Sequence, residues 1–250
     1  MKYSLLLVVL LQSLNIQLYA QNKKVAVVSI FIDKFTNQGM NDQRNKSNNP
    51  DDLMNYDSII TTFKSRFFEQ YATALPVDFL AEDSVTKAAG YAELGEGQKV
   101  DSQWSRFTTA EGYVLIDSRW SSKDKDAIQK AFAVLPKEVD FIMISYLSFS
   151  VTASSTVNNI RYFKINAFVK MKAFDRSGDE VFKIQEAGKS EDELAEVSHS
   201  GWTMMDYAGI RPLSFQALDK MYLDLEKDLP KDVKKIQKKI AKWEKKQAKK

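Results

Sequence analysis

The chain has 250 residues and a mass of 28.6 kDa, enough for one large domain or two small ones. With 44% hydrophobic and 28% charged residues, no cysteine and a single histidine (His199), it is neither disordered nor disulfide-stapled; thiolate metal sites, thiol nucleophiles and two-imidazole metal sites are excluded. The net charge of +3 is unevenly spread: Lys227–Lys250 has eleven lysines against three acids, a local +8, Lys2 adds +1, and Gln21–Glu226 carries −6.

In chain order, Met1–Ala20 comes first. Lys2 precedes the seven-residue apolar run Leu5–Leu11, and Leu18-Tyr19-Ala20 offers a small residue for cleavage. That is the layout of a secretory signal peptide, and the run is too short for a membrane span of about twenty residues. The mature chain is therefore expected to begin near Gln21, exported to the periplasm or the exterior, soluble or peripherally attached. Without a cysteine after the cleavage point it is not expected to be a lipoprotein.

Lys24–Asp33 (KVAVVSIFID) is a β-branched apolar run, predicting a strand buried on both faces. Gly39–Asp52 reads as a solvated loop. Apolar residues recurring every three or four positions predict a helix over Asp57–Ala74, stopped by Pro76, with a short strand at Val77–Leu80. Tyr113–Ile116 is read as another short strand. Ser121 or Ser122 can cap a helix carrying Ala127, Ile128, Ala131, Phe132 and Leu135, stopped by Pro136. Val139–Thr152 and Arg161–Phe174 have strand patterns, the second alternating apolar residues with Lys164, Asn166, Lys170 and Lys172. Asp175–Gly178 is a turn into a partner strand, Val181–Glu186. Ser190-Glu-Asp-Glu193 fits a capping box, predicting a short helix toward His199. A last domain helix with Pro212 in its first turn carries Ala217, Leu218, Met221, Tyr222 and Leu225 and is expected to break at Pro230. The order predicts an α/β fold: a signal peptide (1–20), a single domain with a mixed β-sheet and helices packed on it (21–229), and a lysine-rich amphipathic helical tail (230–250).

The segments KVAVVSIFID, VDFIMISYLSFSV and YFKINAFVKMKAFDRSGDEVFKIQEAGKS together resemble a family of exported bacterial envelope proteins. Its members include the curli secretion channel protein, the lipoprotein activator of penicillin-binding proteins and the N-terminal domain of TolB. The matching pieces are an opening strand at Val25–Phe31, a later strand at Val139–Leu147 and a turn-joined strand pair across Phe174–Phe182. The resemblance implies an α/β fold and a non-enzymatic envelope role. The lipobox cysteine of the lipoprotein members and the channel's membrane-spanning hairpin have no counterpart in the sequence.

Few residues carry chemistry. His199 lies in Ser-His-Ser-Gly, but the chain lacks a G-x-S-x-G elbow, and a loop histidine is the better reading. Asp175, Ser177, Asp179 and Glu180 superficially resemble a calcium loop, but Gly178 falls at the fourth position instead of the sixth, so a hairpin turn is preferred. Gly95-Glu-Gly97 lacks the spacing and lysine of a phosphate loop. No catalytic residue, metal ligand or cofactor is predicted. Trp104, Phe107, Tyr113 and Trp120 fall in a glycine-punctuated segment; they are candidate partner-binding anchors, though closing the core is the favoured reading.

The tail is the most distinctive feature. Val233, Ile236, Ile240 and Trp243 form a thin apolar stripe beside Lys234, Lys235, Lys238, Lys239, Lys242, Lys245 and Lys246. The stripe can dock on the domain with its lysines in solvent. Alternatively the tail adsorbs to an anionic envelope surface with Trp243 at the interface. Nucleic acid is disfavoured by the export signal and the acidic body. Together these features predict an exported, non-enzymatic adaptor or regulator that binds another envelope protein or an anionic envelope surface. The alternatives are an envelope hydrolase using dispersed carboxylates and a homo-oligomeric subunit of a secretion assembly.

Overall fold

β1 (Lys24–Asp33) is built of β-branched and apolar residues that are buried on both faces, so neither side of it can meet water. A computed structural model of the chain describes residues 23–34, 55–96, 106–117, 125–158, 160–195, 197–199, 202–204 and 207–249. The expected signal peptide, the Gly39–Asp52 loop and the helix-capping serines Ser121 and Ser122 lie outside these residues.

After β1 comes α1 (Tyr56–Arg66), which runs on through a π-helical turn (Phe67–Tyr71) and a final turn (Ala72–Ala74). Its Asn55 cap adopts φ 50°, and the Asn55 side chain accepts the Ser58 amide. The predicted short strand is β2 (Asp78–Phe79), followed by α2 (Glu82–Thr86), β3 (Phe107–Thr109) and α3 (Lys125–Val134). Three long strands then follow, β4 (Phe141–Val157), β5 (Ile160–Phe174) and β6 (Glu180–Lys189). The chain closes with β7 (Leu194–Ala195), the hairpin pair β8 (Val197–His199) and β9 (Trp202–Met204), and the helix α4 (Tyr207–Gln247).

The main sheet is mixed, in the order β2-β1-β4-β5-β6, with β3 added to β1 and β7 to β5. β1 runs parallel to β2 and β4, whereas β4, β5 and β6 are antiparallel. Both faces are covered, giving three layers. On one face α1 and α4 pack over Val25, Val27, Ile30, Met143, Val169 and Ile184. On the other, α2 and α3 pack over Ala26, Val28, Phe31, Ile142 and Ile144. The alternation predicted for β5 holds: Ile165, Ala167, Val169, Met171 and Ala173 all point to the α4 side.

A β-bulge in β1 shifts the alternation by one residue, so that Val25 and Val27 before it and Ile30 and Ile32 after it face the α1 and α4 layer. Val27 pairs with Met143 and Ser29 with Ile144, leaving Val28 as the extra residue. The fully buried Ser29 then donates its hydroxyl to the Val114 carbonyl at 2.7 Å and accepts the Ile116 amide at 3.0 Å. Tyr113–Ile116 is thus not the strand its pattern predicts. It is an irregular segment held by side chains as well as backbone: besides Ser29, the Tyr91 hydroxyl accepts the Val114 amide at 3.2 Å and the Ala110 carbonyl accepts the Tyr113 amide at 2.9 Å.

Two further expectations are corrected. The Ser190 capping box starts no helix: Ser190 instead accepts the Ile165 amide at 3.1 Å, and Leu194–Ala195 adds to the edge of β5. Strand pairing satisfies these backbone groups where a cap would have satisfied a helix end. Nor does Pro230 end the last helix. α4 runs unbroken for 41 residues with Pro212 and Pro230 inside it, so residue 230 is no boundary between domain and tail. An interior proline removes one hydrogen bond and costs about 3 kcal/mol. Continuous burial offsets this, because Met221, Leu225, Leu229, Ile236 and Ile240 form one apolar stripe across the proline, all packed on the same sheet face.

α4 comes closest to the sheet at Gly188. A Cβ there would stand 2.1 Å from the Ala217 carbonyl oxygen and 2.3 Å from the Met221 amide nitrogen. Only a residue with no side chain lets the helix backbone rest on the strand. Gly188→Ala is expected to lower the unfolding free energy by about 3 kcal/mol, measured by urea denaturation, because the helix must lift from the sheet.

Candidate functional site

The aromatic candidates divide. Tyr113 is 5% exposed and lies in the core with the Lys64 ammonium 5.4 Å from its ring centre. Burial, reinforced by Glu82, pushes its hydroxyl above the usual tyrosine range. Phe107 is half-buried and packs edge-on against Phe31 at 5.7 Å. These two therefore close the core and do not form an open aromatic patch. Trp104 and Trp120 lie outside the described residues, as does the side chain of His199. The C-terminal end of β1, where parallel strands often present ligand groups, carries Asp33. Both its oxygens accept from Arg106, at 2.8 and 2.7 Å.

The tail residues come together around the β5–β6 turn. The buried Asp175 shapes that turn through one carboxylate oxygen, which accepts the Ser177 amide at 2.9 Å and the Asp179 amide at 3.1 Å. Gly178 supplies the φ of +77° that the turn needs. The other oxygen accepts the indole N–H of Trp243 at 2.9 Å. The Trp243 ring stands edge-on to Phe141 at 4.9 Å, and the Lys23 ammonium lies 5.6 Å from its centre. Trp243 is thus not the interfacial residue foreseen for surface adsorption; it fastens the end of α4 to the sheet. The turn reading of Asp175–Gly178 missed this role. A carboxylate with one oxygen left over by a buried turn is the signal that points to it.

Ion pairs reinforce the joint. Lys23 reaches Glu244 at 3.2 Å and Asp140 at 3.8 Å, while Asp179 contacts Lys125 at 2.9 Å and Lys246 at 3.7 Å. The hydrogen bond from Lys125 holds the Asp179 carboxyl below its ordinary range against the opposing effect of burial, with the charges of Lys125 and Lys246 adding to the lowering. Lys235 is raised, chiefly by its hydrogen bond to Asp232 at 2.7 Å.

With Ile236, Ile240 and Trp243 turned inward, the other side of α4 carries lysine. Lys227, Lys231, Lys234, Lys238, Lys242 and Lys245 recur at intervals of three and four, Lys249 continues the spacing just past the helix end, and all are exposed. Lys235, Lys239 and Lys246 flank this row. Among the described residues no carboxylate pairs with Lys234, Lys238, Lys242 or Lys245, whereas Lys231 meets Asp228 at 3.3 Å. At the Pro230 position Lys227, Lys231, Lys234, Lys235 and Lys238 wall a shallow concavity of about 490 Å³. Lys227, Lys231 and Lys249 were not singled out in the sequence; their shared spacing with Lys234 and Lys238 is the pattern that finds them.

No family model and no curated protein matches the chain. Among solved structures, a hypothetical protein from Chlamydia trachomatis is similar with a TM-score of 0.37 and 12% identity, over 83% of this chain and 98% of that one. Neither fold nor function is carried over from it.

Two outcomes follow from the joint. Trp243→Ala is expected to lower stability by about 3 kcal/mol and to raise hydrogen exchange selectively in residues 234–247, which mass spectrometry of peptides reads directly. A carboxyl lowered by folding adds stability above its unfolded pKa of about 3.9, and this is lost as pH falls through the folded value. Asp179→Asn should therefore lower stability at pH 7 by under about 1 kcal/mol, as exposed pairs do, and the difference from the parent should vanish in acid when urea midpoints are compared.

Proposed function

We propose that this protein is an exported, non-enzymatic adaptor or regulator, periplasmic or extracellular, that acts by binding another component of the cell envelope. The observation that carries the reading is the lysine face of α4, held on a folded platform by the Trp243–Asp175 bond and the apolar stripe beneath it. A basic segment that serves only solubility has no need of a partly buried tryptophan anchor or of a helix carried through a proline.

Two further features support the reading. Met1–Ala20 has the layout of an export signal. The segments resembling exported envelope proteins form β1, β4, β5 and β6, the four long strands of the main sheet. The rival class, a hydrolase with dispersed carboxylates, needs a cleft with convergent acids. The concavity at Pro230 is walled by lysines and a proline.

Fractionation of cells expressing the full chain tests this. The chain is expected outside the cytoplasm with an N-terminus near Gln21, cross-linking to an envelope component. An intact Met1 on cytoplasmic protein overturns the reading. Release of soluble fragments from purified envelope polymers would establish the hydrolase instead.

A further inference from the structure

We infer that the lysine face of α4 is a binding site for a linear polyanion bearing repeated phosphate groups. The inference rests on the envelope-binding reading above and names the chemistry of its ligand.

The six lysines from Lys227 to Lys245 lie on one side of the helix and span roughly 27 Å at about 1.5 Å per residue. Successive members stand about 5–6 Å apart, as residues three and four apart on a helix do. A row of like charges this dense repels itself. A single small anion relieves that repulsion at one or two members, whereas a chain of anions relieves it along the whole row and releases its own condensed counterions in doing so. The shallow concavity at Pro230, walled by five of the tail's lysines, gathers positive charge on the path such a chain would follow.

Two observations favour a thread over a membrane. Amphipathic helices that lie on bilayers sink their apolar face about 5–10 Å into the lipid. Here that face is spent on the sheet: Ile236 is 1% and Ile240 9% exposed, and Trp243 is tied to Asp175. The stretch Gln21–Glu226 also carries a net −6, which a wide anionic plane would repel within a Debye length of about 8 Å. A narrow polyanion can follow the lysine row without approaching the acidic body.

The residue type points the same way. Lys227–Lys250 contains eleven lysines and no arginine. Lysine is a point charge on a flexible stem, suited to phosphates at variable spacing; arginine's planar fork would instead select a fixed bidentate geometry.

The test uses the full chain with long-chain inorganic polyphosphate, orthophosphate and anionic phospholipid vesicles as probes. Binding is read by titration calorimetry across a salt series. One variant replaces Lys231, Lys234, Lys238, Lys242 and Lys245 with Gln. A charge-matched control replaces the exposed Lys87, Lys130, Lys137, Lys183 and Lys189 with Gln. Polyphosphate is expected to bind the parent, orthophosphate at equal phosphate concentration not to. The stripe variant should bind at least about 30-fold more weakly, and its salt slope should be shallower by about 3.5, near 0.7 for each lysine removed. The control should stay within about threefold of the parent. Lys→Arg at the five stripe positions should restore binding, which separates loss of charge from loss of structure.

Equal losses in the two Gln variants would overturn the inference, since net charge alone would then explain them. So would unchanged binding by the stripe variant, or binding of vesicles without binding of polyphosphate. A chain that fails to bind polyphosphate yet still cross-links to an envelope component overturns this inference alone and leaves the envelope-binding reading standing.

Discussion

A helix of 41 residues whose second half is rich in lysine holds one shape only if its apolar stripe is covered along its length. Ordering each residue's backbone costs about 1–2 kcal/mol, and a stripe one or two residues wide per turn offsets little of that in water. Burial of α4 against β5 and β6 is therefore the condition on which the rest depends. Three features make it feasible. β5 and β6 underlie the helix, Gly188 admits its backbone, and the Trp243–Asp175 bond secures its far end.

The same docking sets the electrostatics. Acidic residues of the tail lie on its flanks, where Asp228, Asp232 and Glu244 meet Lys231, Lys235 and Lys23. Asp179 and Asp140 on the domain engage lysines at the joint. Compensation is thus concentrated beside the contact, while the centre of the outward row has none among the described residues. The weakness of exposed ion pairs matters here. Apolar packing and one tryptophan hydrogen bond orient the helix, and the lysines stay available for a ligand.

Much of the architecture was legible in the residues. The apolar run of β1, the alternation of β5 and the three-four spacing of α1 each match a single periodicity and formed as read. Failures arose where two local signals competed. The Ser190 side chain could cap a helix or close a strand edge, and the open edge of β5 decided between them. Pro230 punctuates a helix in isolation, yet the stripe from Met221 through Leu229 to Ile240 continues in phase across it. The bulge at Val28 leaves no periodic mark on a run that from Val25 to Ile32 is apolar but for Ser29.

The sequence by itself determined the class of fold, the absence of cysteine chemistry and the existence of a basic amphipathic segment, because composition and period are local properties. It also contained the lysine spacing, which any helix through that region would turn into a row. Only the tertiary structure decided which side of that helix is hidden. Trp243 had two possible employments, an interface or a core, and the spare oxygen of Asp175 lies 68 residues away in the chain. A long-range hydrogen bond leaves no periodic trace, so the assignment of Trp243 to the anchor and of the lysines to the exposed face had to come from the fold.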